Sequence, residues 1–165
     1  MYVKLLQDKL WEQQEIYRRL KAGDAGTVCY QERHDAVYGT QDANYTNRMR
    51  LSYYLLYAHI DDEAAIAYLF EEELKDRETN SFQGIGQTIS ILTSLLREYN
   101  RNHTYDHLFE RAKTANFDCA CGYDANVQIS RNIRSNDLMD CIYLCQDMVY
   151  RDIMEPMVEL WKESV

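Results

Sequence analysis

Residues 45–77 read YTNRMRLSYYLLYAHIDDEAAIAYLFEEELKDR, and this stretch decides the fold class. Its first half places Met49, Leu51, Tyr53, Tyr54, Leu55, Leu56 and Tyr57 nearly all round one helix. A helix that is apolar on every side is one that its neighbours surround, so this element is expected at the centre. The second half, residues 62–77, turns Ile66, Leu69, Phe70 and Leu74 inward at helical spacing. Its acids are expected on the outer face. Asp61-Asp62 lies between the halves, where a carboxylate can accept a backbone N–H and complement the positive end of the helix dipole.

The same spacing recurs elsewhere. Ile85, Ile89, Leu92, Leu96 and Tyr99 form one stripe; Leu138, Ile142, Cys145, Val149 and Ile153 form another. Residues 2–21 set Leu6, Leu10, Tyr17 and Leu20 on one side, with Gln13 and Gln14 interrupting. Pro156 should end or kink the last helix near 153–155, leaving a short final helix with Met157, Leu160 and Trp161. No segment shows sustained strand alternation. Short polar breaks at Gly23-Asp24, Asp61-Asp62, Asn102-His103-Thr104 and Ser135-Asn136 imply antiparallel helix pairs. Longer breaks fall at 39–47, 79–84 and 114–122. Residues 1–165 thus read as a single all-α domain of about seven to eight helices arranged as antiparallel hairpins, stacked or in an irregular bundle.

A resemblance follows from Asp61-Asp62-Glu63-Ala64-Ala65-Ile66-Ala67-Tyr68-Leu69-Phe70. An acidic turn, a small residue, an aliphatic one and then aromatics resemble the second helix of a tetratricopeptide-type repeat. Residues 104–112 and 135–143 echo it. The Trp and Leu-Gly positions of that family's first helix are missing, no Pro closes the repeats, and the period is irregular. The resemblance implies stacked helix hairpins with a concave face, and no individual site residue.

Composition narrows the function. Apolar residues make up 46%, which argues against disorder, and no run is long enough to span a membrane. The five cysteines follow no small-scaffold spacing and the N-terminus lacks a signal peptide's apolar stretch, so a reducing cytoplasm is expected. The net charge of −9 has two sources. Residues 61–78 carry eight acids against Lys75 and Arg77; residues 135–165 carry seven against Arg151 and Lys162. Such surfaces draw basic partners and repel nucleic acid and anionic membranes.

No constellation declares catalysis, so no enzyme activity and no cofactor are expected. His59 beside Asp61 and Asp62 has no nucleophile to serve, and Gly84-Ile85-Gly86 lacks the strand and third glycine of a dinucleotide fingerprint. His103, His107, Glu110, Cys119 and Cys121 invite a zinc site. Thr104 as a helix cap would leave His103 outside the helix, however, and Cys-x-Cys differs from the usual Cys-x-x-Cys. No metal is expected there. Cys141 and Cys145, one turn apart on an apolar stripe, read as small buried hydrophobes.

Seven of the fourteen tyrosines fall between Tyr30 and Tyr68. Tyrosines beside acids suit a partner rich in Lys and Arg. The expected partner-binding residues are Tyr54, Asp61, Asp62, Glu63, Glu71, Glu72, Glu73 and Asp76. The reading that joins these features is an acidic immunity- or antitoxin-type protein that neutralises a basic toxin, for example a nuclease, by direct binding. The alternative is a TPR-like adaptor or chaperone holding a peptide in a concave groove.

Overall fold

The computed structural model describes residues 1–133 and 137–165. The turn read at Ser135-Asn136 lies outside the described residues. The architecture is all-α apart from one small hairpin. The helices are α1 (Tyr2–Trp11), α2 (Gln13–Lys21), α3 (Tyr45–Tyr57), α4 (Glu63–Thr79), α5 (Gln87–Leu96), α6 (Asp106–Lys113), α7 (Phe117–Gly122), α8 (Leu138–Asp147) and α9 (Arg151–Ser164). The strands are β1 (Glu32–Asp35) and β2 (Gly39–Asp42), paired antiparallel from Glu32 opposite Asp42 to Asp35 opposite Gly39.

The helix α3 is the hub. It packs on α1, α2, α4 and α5, and every residue from Leu51 to Leu56 is buried. Its neighbour α4 inserts Ile66, Leu69, Phe70 and Leu74, as the stripe requires, and packs most extensively against α5. The α5 stripe runs through Ile89, Leu92 and Leu96 and then tightens into a 3-10 turn at Arg97–Tyr99. Gly84 and Gly86, both at positive φ, bring the chain into α5 past the Arg77 side chain. On the other side α1 buries Leu6 and Leu10 and packs on α8, which joins the first helix to the penultimate one.

Several boundaries differ from the sequence reading: residues 2–21 are split at Glu12 into α1 and α2, and α6 is preceded by Tyr105 rather than capped by Thr104. The hairpin puts β2 inside the break expected at 39–47 and β1 in residues to which the apolar spacing assigns no element, because its strands are four residues long and mostly polar. The segment 114–122 holds the short α7, started by Asn116, whose Oδ1 accepts the Cys119 N–H at 2.8 Å. The stripe from Leu138 to Ile153 is cut at Val149, which sits at φ 58°. There the Tyr150 N–H reaches back to the Cys145 carbonyl at 2.9 Å, the closing bond of a left-handed helix cap. Because the last helix starts afresh at Arg151, Pro156 falls in its second turn, and the helix runs through it unbroken. The proline gives up the one N–H that would have reached the Asp152 carbonyl.

Candidate partner-binding face

The first acidic segment does not form an outer face. Glu73 and Asp76 are fully buried, and Glu72 is 7% exposed. They belong to an ionic network beneath the hairpin. Arg48, on α3, is also fully buried: its Nε donates to Glu73 Oε2 at 2.8 Å, Nη1 to the Val28 carbonyl at 3.1 Å, and Nη2 to Asp42 on β2. Asp42 also accepts the backbone N–H of Gln31 and of Asn44, which ties the hairpin's base to the same centre. Arg77 lies on the far side of Glu73, with Nε 3.3 Å from Glu73 Oε1. Its Nη2 donates to Asp76 at 2.5 Å, its Nη1 donates to the carbonyls of Gln83 and Gly84, and the Tyr45 ring lies over the guanidinium. Glu72 takes the Tyr30 N–H at 2.6 Å and Lys75 at 2.5 Å.

With Glu72 balanced by Lys75, two guanidinium groups thus face the buried carboxyl groups of Asp42, Glu73 and Asp76, a formal excess of one negative charge. Burial pushes the Glu73 carboxyl up to about 7; Arg48 and Arg77 pull against that rise and Asp76 adds to it. A proton on Glu73 brings the cluster to neutrality. The expectation that Glu72, Glu73 and Asp76 meet a partner is therefore corrected: these side chains hold α3, α4 and the hairpin together. The sequence offered the acids but could not show Arg48, 25 residues before Glu73, at the centre of them.

Tyr54 is corrected too. It is 4% exposed, covered by Trp11 with ring centroids 5.7 Å apart and by Tyr17 at 6.4 Å. Asp62 is a helix cap, taking the Ala65 N–H at 3.0 Å together with the Tyr17 hydroxyl and Lys21, each at 2.7 Å. Burial opposes its ionisation, but those partners outweigh it and hold the carboxyl below its ordinary range. Asp61 is exposed and paired with Arg131, Glu63 accepts the Tyr105 hydroxyl, and Glu71 is exposed. Of the eight residues expected to bind a partner, Asp61, Glu63 and Glu71 remain exposed.

The C-terminal segment behaves differently. Asp137, Asp140, Asp147, Asp152, Glu155, Glu159 and Glu163 are all exposed. Cys141, Ile142, Cys145 and Met148 take the inner side of α8, leaving its acids outside. Beside them lies a cleft of about 310 Å³ lined by Tyr57, Ile133, Asp140, Tyr143, Leu144 and Asp147. Among the described residues, no cation pairs with Asp140 or Asp147. Burial raises the Asp147 carboxyl, and after burial itself the Asp147 charge is what raises the Tyr57 hydroxyl. Tyr143 is 56% exposed. Sequence reasoning found the acidity of this segment but missed Tyr57 and Tyr143, since their meeting depends on how α8 docks beside the end of α3.

A larger cleft of about 700 Å³, near α6, mixes Arg97 and Lys113 with Asp106, Glu110 and Asp124, so it selects neither sign of charge. His103 stands outside α6 at φ 58°, with Nδ1 2.8 Å from Asp106. Cys119 is buried and Cys121 exposed. Among the described residues no three His, Cys, Asp or Glu side chains gather closely enough to hold a metal ion. Among the described residues no helix is long and apolar enough to cross a membrane. Compared with known protein families, curated proteins and solved structures, the chain matches none of them.

Proposed function

We propose that this chain is an acidic protein-binding module of the immunity or antitoxin type, which neutralises a basic partner by direct binding. The observation that carries the reading is the exposure of all seven acids between Asp137 and Glu163, against Arg151 and Lys162 as the only bases there. Three of the six acids of α4 are buried inside the fold, so the docking face moves to α8 and α9, with Asp61, Glu63 and Glu71 as a smaller second patch. A surface of one sign speeds the encounter with an oppositely charged protein and imitates the phosphates that a nuclease binds. A cytoplasmic setting belongs to the same reading.

The test is charge reversal on α9. Proteins that co-purify with the wild type are identified by mass spectrometry, and the main partner is then measured against Glu155→Lys/Glu159→Lys/Glu163→Lys. Association should slow by roughly tenfold or more at low salt and converge with wild type at high salt, with the melting temperature retained. An unchanged association rate at low salt, or a partner that is itself acidic, sinks the proposal. The adaptor reading draws on the packing of α3 on α4 and α4 on α5, as successive hairpins would stack. It calls instead for short peptides bound at rates that salt barely alters.

A further inference from the structure

The cleft between the end of α3 and the outer face of α8 has a composition that selects its occupant. Asp140, Tyr143, Leu144 and Asp147 stand at positions i, i+3, i+4 and i+7, so they share one side of α8, and all four line the cleft. The end residues are the two carboxylates with no cation among the described residues. Between them are a ring that is 56% exposed and a leucine. Tyr57 closes the opposite wall; its ring stacks on the buried Tyr53 with centroids 5.9 Å apart. The wall is therefore braced from behind. At about 310 Å³ the space is at the small end for ligand clefts: it suits one long side chain rather than a helix or strand.

We propose that this cleft is an arginine-binding site, in which Asp140 and Asp147 grip the two edges of a guanidinium while Tyr57 and Tyr143 face its plane. The proposal rests on the reading of the chain as a binder of basic proteins and names the side chain it takes. Charge complementarity calls for a cation, and the aromatic walls favour one with a flat face. Geometry then separates arginine from lysine. Residues seven apart on a helix have Cα atoms about 10 Å apart along its axis. A planar guanidinium carries donors on opposite edges and so has one for each of two separated carboxylates. A compact ammonium meets one at a time. Leu144 and Ile133 supply apolar contact for the methylene stem.

The test uses the intact chain and three capped tripeptides, acetyl-Gly-X-Gly-amide with X as arginine, lysine or citrulline, the last being the neutral counterpart of arginine. Binding is followed by NMR at the Tyr57 and Tyr143 rings and the α8 amides. The arginine peptide should give saturable shifts confined to the cleft, bind at least about threefold tighter than the lysine peptide, and far exceed citrulline. Asp140→Asn/Asp147→Asn should weaken it by roughly tenfold or more, whereas Glu32→Gln/Glu110→Gln, at exposed acids away from the docking face, should leave it unchanged. Equal responses to arginine and citrulline overturn the site. So does equal loss in the two double variants, since that would mean diffuse attraction to an acidic surface. If arginine fails to bind but charge reversal on α9 still slows partner capture, the site falls and the neutraliser reading stands. If arginine binds and partner capture ignores both charge and salt, the neutraliser reading falls alone.

Discussion

Glu73 shows how a surface-looking residue becomes structural. It follows Glu71 and Glu72 in a run that reads as a solvated helix face, yet it is fully buried between two arginines. Its pH behaviour follows from burial. The folded carboxyl titrates at about 7, above the ordinary value of 4.5, so the folded state holds a proton that the unfolded state has released. Stability from this group is full below the ordinary value and is lost as pH rises through 7. Relative to Glu73→Gln, which cannot titrate, the wild type should lose on the order of 1–3 kcal/mol between pH 5 and pH 8. Urea unfolding of both proteins across that range measures it. A constant difference would mean that Glu73 stays ionised in the folded protein. Nothing in residues 71–73 alone distinguishes the three glutamates. The signal is a partner 25 residues away, and only the fold supplies it.

At the level of elements, the stripes of α3, α4 and α5 were legible because apolar burial repeats at the helical period. The helix ends were not. Two helices end at residues other than glycine in the left-handed region: α3 at His59, φ 53°, and α8 at Val149, φ 58°. Neither type announces such an ending. What holds them is remote in sequence. Arg131 donates to the carbonyls of Leu55 and Leu56, and Arg50 donates to those of Met148 and Val149 while its guanidinium lies 4.4 Å from the Tyr150 ring. Arg131 adds side-chain donors to carbonyls that already accept the Ile60 and His59 N–H groups, and Arg50 supplies donors to the carbonyls of the turn that follows α8. Arg50→Ala should therefore loosen the α8–α9 junction at a cost of about 1–3 kcal/mol. Amide exchange at residues 144–150 should quicken, while exchange in α4 and α5 follows only the global change. Uniform acceleration would remove Arg50 from this role. The hairpin escaped notice for another reason: its strands alternate polar with polar, so period two leaves no trace.

For the whole molecule, the contact of α1 with α8 decides how the chain unfolds. An open stack of hairpins can melt from one end, each unit touching only its neighbours. Here the first helix packs on the penultimate one, and Lys9 reaches Asp152 on the last at 2.8 Å. The two tryptophans, Trp11 on α1 and Trp161 on α9, report on the two ends of the sequence. A Trp161→Phe protein, whose fluorescence comes from Trp11 alone, should unfold in urea at the same midpoint as the helical circular-dichroism signal. A Trp11 transition well ahead of the helical one would restore the picture of separable hairpins. The sequence supplied the helices and the acidity but not this closure, because long-range contact leaves no mark on local periodicity.

The run Glu71-Glu72-Glu73 is also a clock. Each residue advances the helix by about 100°, so three identical side chains take three different addresses: solvent, the hairpin seam and the arginine cluster. Their identity is chemical, not positional. An extra residue inserted in α4 ahead of the run would turn the dial one step and present the wrong glutamate to Arg48. The same insertion in the 58–61 link leaves the phase of α4 untouched. The helix after that link has a reading frame of its own.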